Sequence, residues 1–286
     1  MKEVVVLSGK GGTGKTSIAA SFAAIAKKKV LADCDVDAAD LYLLLQPQVK
    51  QEHEFWSGQT AYIDSGRCNQ CGLCQEVCRF GAIENYVVDP ISCEGCGFCS
   101  QVCPVDAIIM RENMSGHWFI SETHYGPLVH ARLGVAQENS GKLVALVRQN
   151  AKHIAEEGNL GYIIVDGPPG IGCAVISSLS GADLALLVTE PTLSGMHDLD
   201  RIIELCRHFG IPALVCINKY DINEENSRQI ENYCAKQKVA VVSRIPFDNV
   251  VTEALVNGLP VVEFSDGRVS REIENLWKKV SERLTP

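Results

Sequence analysis

The 286-residue chain is 46% hydrophobic and 21% charged, enough apolar content for one large domain or two modest ones with a packed core. Its formal net charge is −9 and no run of Lys or Arg occurs, which excludes nucleic acid as a main partner because phosphate binding needs a concentrated basic footprint. The opening run Met1–Leu7 is too short for a signal-peptide core and nothing approaches the ~18 apolar residues of a membrane span, so a cytoplasmic protein with no stable membrane insertion is expected.

In chain order, the β-branched run Val4–Leu7 predicts a buried strand leading into glycines, and the Ala-rich segment Thr16–Lys28 predicts a helix. Val30–Ala32 predicts a second strand, ending in Asp33, Cys34 and Asp35. Residues 61–112 differ in character, being rich in Cys and Gly with no long helical period. Alternation then resumes. Helices are predicted at Gly141–Glu157, Met196–Phe209, Glu224–Lys236 and Arg271–Leu284, and strands at Tyr162–Val165, Ala182–Val188, Ala213–Ile217 and Val239–Val242. Strands alternating with helices of ten or more residues imply an α/β fold with a doubly wound, mostly parallel sheet. The expected organisation is therefore a domain in two parts, residues 1–60 and 113–286, holding a small inserted α+β module at 61–112.

Gly9, Lys10, Gly11, Gly12, Thr13, Gly14, Lys15 and Thr16 fit G-x-x-x-x-G-K-[ST] between a predicted strand and a predicted helix, the context the motif requires. The glycines allow backbone N–H groups to turn inward around phosphates, and the helix N-terminus adds a favourable field. Lys15 would reach the β- and γ-phosphates, the Thr16 hydroxyl would bind Mg²⁺, and Ser17 follows as a further nucleotide contact.

With Lys10 in place, the string Lys-Gly-Gly-Thr-Gly-Lys-Thr resembles the deviant Walker A of the MinD/ParA/Mrp group, which includes the nitrogenase iron protein. The resemblance implies ATP as ligand and a homodimer formed on ATP binding, in which Lys10 reaches the nucleotide of the other subunit. It further implies that Asp35 positions the attacking water, with Asp33, Asp37 and Asp40 as nearby rivals. Tyr162-Ile163-Ile164-Val165-Asp166-Gly167-Pro168-Pro169-Gly170 resembles the family's Walker B and switch II, which gives Asp166 a share in holding Mg²⁺. Asn218, in Ile217-Asn218-Lys219-Tyr220-Asp221, is placed by the resemblance at the adenine edge, and Pro246 in the base pocket. The same string matches the guanine-reading Asn-Lys-x-Asp, so GTP stays open on the string alone.

Thirteen cysteines are many for a reducing compartment, and eight fall between Cys68 and Cys103. Cys68, Cys71, Cys74 and Cys78 recur 25 residues later as Cys93, Cys96, Cys99 and Cys103, and Gly72, Val77, Ala82 and Ile83 repeat at the same offset. C-x₂-C-x₂-C-x₃-C twice, the second followed by Pro104, is the spacing of bacterial two-cluster ferredoxins. It predicts two [4Fe–4S] clusters with crossed ligands: Cys68, Cys71, Cys74 and Cys103 for one, Cys93, Cys96, Cys99 and Cys78 for the other. Tetrahedral zinc sites use cysteine pairs across longer gaps. Arg79 stands where the first run would usually have proline.

The expected function is ATP hydrolysis using Lys15, Thr16, Asp166, Lys10 and Asp35, gating electron transfer through the two clusters to a redox or cluster-accepting partner protein. Alternatives are an iron–sulfur carrier of the Mrp type, although no C-x-x-C pair follows Cys103, and a MinD-like positioning ATPase. Cys173, Cys206, Cys216 and Cys234 read as core, as does the face Ile273, Leu276, Trp277, Val280 and Leu284 of the last helix. Tyr125–Arg132 has no assigned mechanism.

Overall fold

The computed structural model describes residues 1–134 and 139–285, in two compact units: Met1–His53, Trp118–Arg132 and Ser140–Pro286 form one, Glu54–His117 and Leu133–Asn139 the other. The first unit opens with β1 (Lys2–Ser8), α1 (Lys15–Ile25), β2 (Lys29–Asp33), α2 (Leu41–Leu45) and the start of β3 (Gln48–Ile63). The second unit carries α3 (Leu73–Val77), β4 (Ile83–Glu84), β5 (Val87–Val88) and α4 (Phe98–Gln101) before the chain returns along β6 (Ile108–Thr123). The first unit then continues with β7 (Gly126–Leu133), α5 (Ser140–Glu157), β8 (Tyr162–Pro169), α6 (Cys173–Leu179), β9 (Leu184–Thr189), α7 (Leu193–His208), β10 (Ala213–Asn218), α8 (Glu224–Lys236), β11 (Ala240–Ile245), α9 (Val250–Val256), α10 (Val261–Phe264) and α11 (Arg268–Leu284).

Among the described residues the main sheet runs β11-β10-β9-β1-β8-β2-β7-β6-β3. The pairs β1–β8, β1–β9, β9–β10, β10–β11, β2–β8 and β2–β7 are all parallel. Burial on both faces explains the near-continuous apolar strands. Val4 and Val6 of β1, with Leu31, Ile164, Leu184, Leu186 and Cys216, face the core shared with α1, α2, α9, α10 and α11. Their neighbours Val5, Leu7, Ala32, Ile163, Val165, Leu187 and Val215 are buried on the alternate positions, the period of two expected of strands. α11 packs on this core through Val269, Ile273, Leu276, Trp277, Val280 and Leu284, as its one-sided pattern predicts. No helix among the described residues is long and apolar enough to cross a membrane.

Three strands depart from the expected elements. β3, β6 and β7 occupy stretches with no predicted strand, and Tyr125–Arg132 belongs largely to β7, paired with β2 through Leu31↔Leu128 and Asp33↔His130. β3 and β6 alternate poorly because most of their side chains are exposed or half-buried, so hydrophobic periodicity has little to register there.

The second unit has its own small core, in which Ala61, Cys74, Ile83, Cys99 and Ile108 pack with Cys78, Cys93, Cys103 and Met110. The repeat is structural as well as sequential: α3 and α4 each start directly after a left-handed glycine, Gly72 at φ 82° and Gly97 at φ 73°. The unit begins at Glu54 and takes in Leu133–Asn139, wider than the 61–112 read from cysteine spacing.

Candidate functional site

The site of the first unit forms at the carboxyl ends of the parallel strands, where open α/β sheets bind their ligands. The loop from β1 to α1 turns on Gly12 at φ 79° and Gly14 at φ 90°, and Gly14 O accepts the Ile18 N–H at 3.1 Å to start the helix. A cavity of about 480 Å³ is lined by Gly11, Gly12, Thr13, Gly14, Lys15, Thr16 and Ser17 together with Ser8, Asp35, Asp40, Leu43, Pro169 and Leu255. The predicted loop, Asp35 and the segment after Asp166 thus meet around one space.

Lys15 is the charge at its floor. Its Nζ lies 2.9 Å from Asp166 Oδ1, 3.5 Å from Asp35 Oδ2 and 3.4 Å from Thr16 Oγ1. Burial opposes its charge, but Asp166, Asp35 and Asp33 outweigh that and hold the ammonium's pKa above its ordinary value. The carboxyl of Asp35 is pushed up by partial burial and by Asp166's charge, with Lys15 opposing. Asp33 is fully buried and its oxygens accept the backbone N–H groups of Asp35 and Leu41, at 3.1 and 3.3 Å, so it shapes the loop while Asp35 faces the cavity. Asp37 is exposed; Asp40, also exposed, lines the same cavity.

Asp166 Oδ2 is buried with no partner, although Oδ1 is bonded to Lys15. An orphaned carboxylate oxygen costs free energy unless something occupies it. Beside the Thr16 hydroxyl, a hard oxygen donor of this kind suits Mg²⁺.

Lys10 is held by Glu190, whose Oε1 is 2.5 Å from Nζ, and by the hydroxyls of Ser194 and Thr192 at 3.3 and 3.5 Å. Glu190 also pairs with Lys219 at 3.3 Å; burial works against its charge, yet the two lysines keep its carboxyl below the usual range. Glu190 was not anticipated from the sequence. The signal that could have found it is its position immediately after β9, the same strand-end layer that supplies Asp33, Asp166 and Asn218.

Asn218 and Pro246 do not line the cavity. The Asn218 carboxamide donates from Nδ2 to Thr13 O at 2.7 Å and accepts the Lys219 N–H on Oδ1 at 3.0 Å. Pro246 is buried just past β11, and the following Phe247 N–H donates to Asp221 Oδ1 at 2.7 Å.

In the second unit one cavity is lined by Cys78, Cys93, Cys96 and Cys99 along with Ala61, Ile83 and Met110. In the other group, Gln70 N–H donates to Cys68 Sγ at 3.4 Å and Ala107 N–H to Cys103 Sγ at 3.3 Å. Among the described residues no three His, Cys, Asp or Glu side chains converge tightly enough to hold a single metal ion. Outside this unit, Cys34, Cys206, Cys216 and Cys234 are buried thiols, the last three pushed by burial to about 12, 12 and 11. Cys173 corrects the expectation of a core residue: it opens α6 and is exposed.

A family profile described as the CobQ/CobB/MinD/ParA nucleotide binding domain matches residues 4–261. The chain is 37% identical over 284 residues to an uncharacterized protein of Methanocaldococcus jannaschii, covering 98% of this chain and 96% of that one. It is 26% identical over 141 residues to an iron-sulfur cluster carrier protein of Pyrococcus horikoshii, 44% of this chain and 47% of that one. Its fold is similar to that of the septum site-determining protein MinD complexed with Mg-ADP from Pyrococcus horikoshii, with TM-score 0.60 and 17% identity over 98% of this chain and 96% of that one.

Proposed function

The chain belongs to the CobQ/CobB/MinD/ParA family of nucleotide-binding domains, and from that premise we propose that it is an ATP-hydrolysing switch that pairs with a second copy when ATP is bound. The observation that carries this reading is the convergence of Lys15, Asp166 and Asp35 beneath the phosphate-binding loop.

Lys15 is paired with two carboxylates, Asp166 and Asp35. The β- and γ-phosphates of ATP replace them as its partners, since charge-assisted bonds to phosphate oxygens are stronger and Lys15 is a preformed cation. That exchange releases Asp166, whose second oxygen is already unpaired, to hold Mg²⁺ with Thr16, and releases Asp35 to accept a proton from the attacking water. Mg²⁺ bound there would neutralise charge developing on the phosphate oxygens. Partial burial raises the Asp35 pKa, which makes it a better proton acceptor than an exposed aspartate. Lys10, parked on Glu190 in a single chain, supplies its charge to the nucleotide of the partner copy.

A second reading concerns what the switch carries. The cavity that gathers Cys78 with Cys93, Cys96 and Cys99 supports a crossed pair of [4Fe–4S] clusters, the remaining ligands being Cys68, Cys71, Cys74 and Cys103. Bound there, such clusters exchange single electrons. The likeness to an iron-sulfur cluster carrier supports delivery to an acceptor protein instead, although no C-x-x-C pair follows Cys103 to hold a labile shared cluster. The family match supports the MinD-like alternative better than electron transfer, which rests on the cysteine spacing alone.

Phosphate release and ATP titration test the first reading: Lys15→Ala is expected to lose both, whereas Asp35→Ala keeps binding and loses roughly 10²–10³-fold in hydrolysis. Full hydrolysis by both variants would sink it. Electron paramagnetic resonance on anaerobic protein, with and without ATP and then with an apo-acceptor, separates electron transfer from cluster delivery: loss of signal from this chain to the acceptor would favour delivery.

A further inference from the structure

We infer that Asn218 and Lys219 form a clamp that sets the polarity of the phosphate-binding loop. This role goes beyond the proposed function while resting on nucleotide binding at the same loop.

The argument starts from the peptide bond, a planar unit whose C=O and N–H point in opposite directions. Lys219 Nζ donates to Gly12 O at 2.9 Å, and Asn218 Nδ2 donates to Thr13 O at 2.7 Å. Two consecutive carbonyls of the loop are therefore drawn to the β10 side. The N–H groups of the same two peptide units, those of Thr13 and Gly14, must then point the other way, which is the arrangement a phosphate cradle requires.

Three further observations say that the clamp is built. The Lys219 backbone N–H donates to Asn218 Oδ1, which fixes the carboxamide so that its donor end faces Thr13. Glu190 holds the Lys219 ammonium at 3.3 Å, so that cation is anchored from behind. Gly14 leaves room for it all: a Cβ there would lie 2.3 Å from Asn218 Nδ2, so only glycine lets the carboxamide reach the loop. Lys219 itself sits at φ 54°, a left-handed conformation that lysine rarely adopts and that its three contacts maintain. Each polar atom of Asn218 keeps a second hydrogen-bonding position, so the clamp is compatible with a contact to the base.

The test compares a ligand that has a base with one that has none. Calorimetric titration of ATP and of inorganic tripolyphosphate, each with Mg²⁺, is run on the wild-type chain and on Lys219→Met, Asn218→Ala and Lys219→Arg, with thermal unfolding to check folding. The clamp predicts that Lys219→Met and Asn218→Ala weaken tripolyphosphate as well as ATP, by about ten-fold or more for loss of a bond from a charged or buried donor, with substantial recovery in Lys219→Arg. Weaker ATP with unchanged tripolyphosphate would assign these residues to the base and overturn the clamp, as would unchanged affinity for both. A wild-type chain that binds neither ligand would instead sink the nucleotide reading, and the clamp with it.

Discussion

Asp33 and Asp35 are two residues apart and have opposite duties. Asp33 has no exposed surface; burial first, and the charge of Asp166 second, push its carboxyl well above the ordinary aspartate range, with Lys15 opposing. The folded chain therefore keeps this proton to a higher pH than the unfolded chain does. Its contribution to stability is fully present below the unfolded value of ~3.9 and is lost as pH rises through the folded one. Urea unfolding of nucleotide-free protein should show this decline above about pH 4, and Asp33→Asn should flatten it. An identical pH slope in the two proteins would remove Asp33 as its source. At this scale the phosphate loop was legible because its glycines, Lys15 and Thr16 are contiguous and their spacing has one chemical use. Glu190 was not, because a single acidic residue after a strand has no local signature; only the fold brings it to Lys10 and Lys219. For Asn218 the string marks the strand end, and the fold adds the bonds its carboxamide makes to Thr13 O and the Lys219 N–H.

Among the elements, α11 shows how a pattern becomes packing. Trp277 rests against Phe22 of α1 at 4.9 Å and Tyr162 of β8 at 5.4 Å, with 8% of its surface exposed. Truncation by Trp277→Ala should cost about 3–5 kcal/mol in equilibrium unfolding, through lost burial and the cavity left behind. In the second unit the sensitive element is the turn between Cys93 and Cys96. Gly95 has φ 64°, and a Cβ on it would meet Gln59 O at 2.3 Å. Gly95→Ala should displace this turn and, on the two-cluster reading, leave about four irons per reconstituted chain, one cluster's worth, by iron and sulfide analysis. The parallel strands could be read from sequence because both faces are buried and their residues are almost wholly apolar. β3, β6 and β7 could not: β3 and β6 are dominated by exposed and half-buried side chains, and β7 takes its place between β2 and β6.

At the scale of the whole molecule, the proposed completion of the site by Lys10 from a second copy would make hydrolysis a two-body event. Turnover per chain should therefore rise with protein concentration before reaching a plateau, and Lys10→Ala should stay flat and monomeric with ATP in sedimentation runs. A wild-type rate independent of concentration would argue for a site complete in one chain. The division of the cysteines has a consequence of another kind. Cys34, Cys206, Cys216 and Cys234 are protonated and shielded, while Cys173 stands in solvent. Thiolates, not thiols, react with alkylating reagents, so those four sulfurs stay silent in the native protein. On the two-cluster reading, iodoacetamide on intact, iron-loaded chain should thus mark Cys173 alone, and every additional label would mark a cysteine without iron. The labelling pattern would then serve as a gauge of oxygen damage, readable by peptide mass spectrometry without any measure of activity.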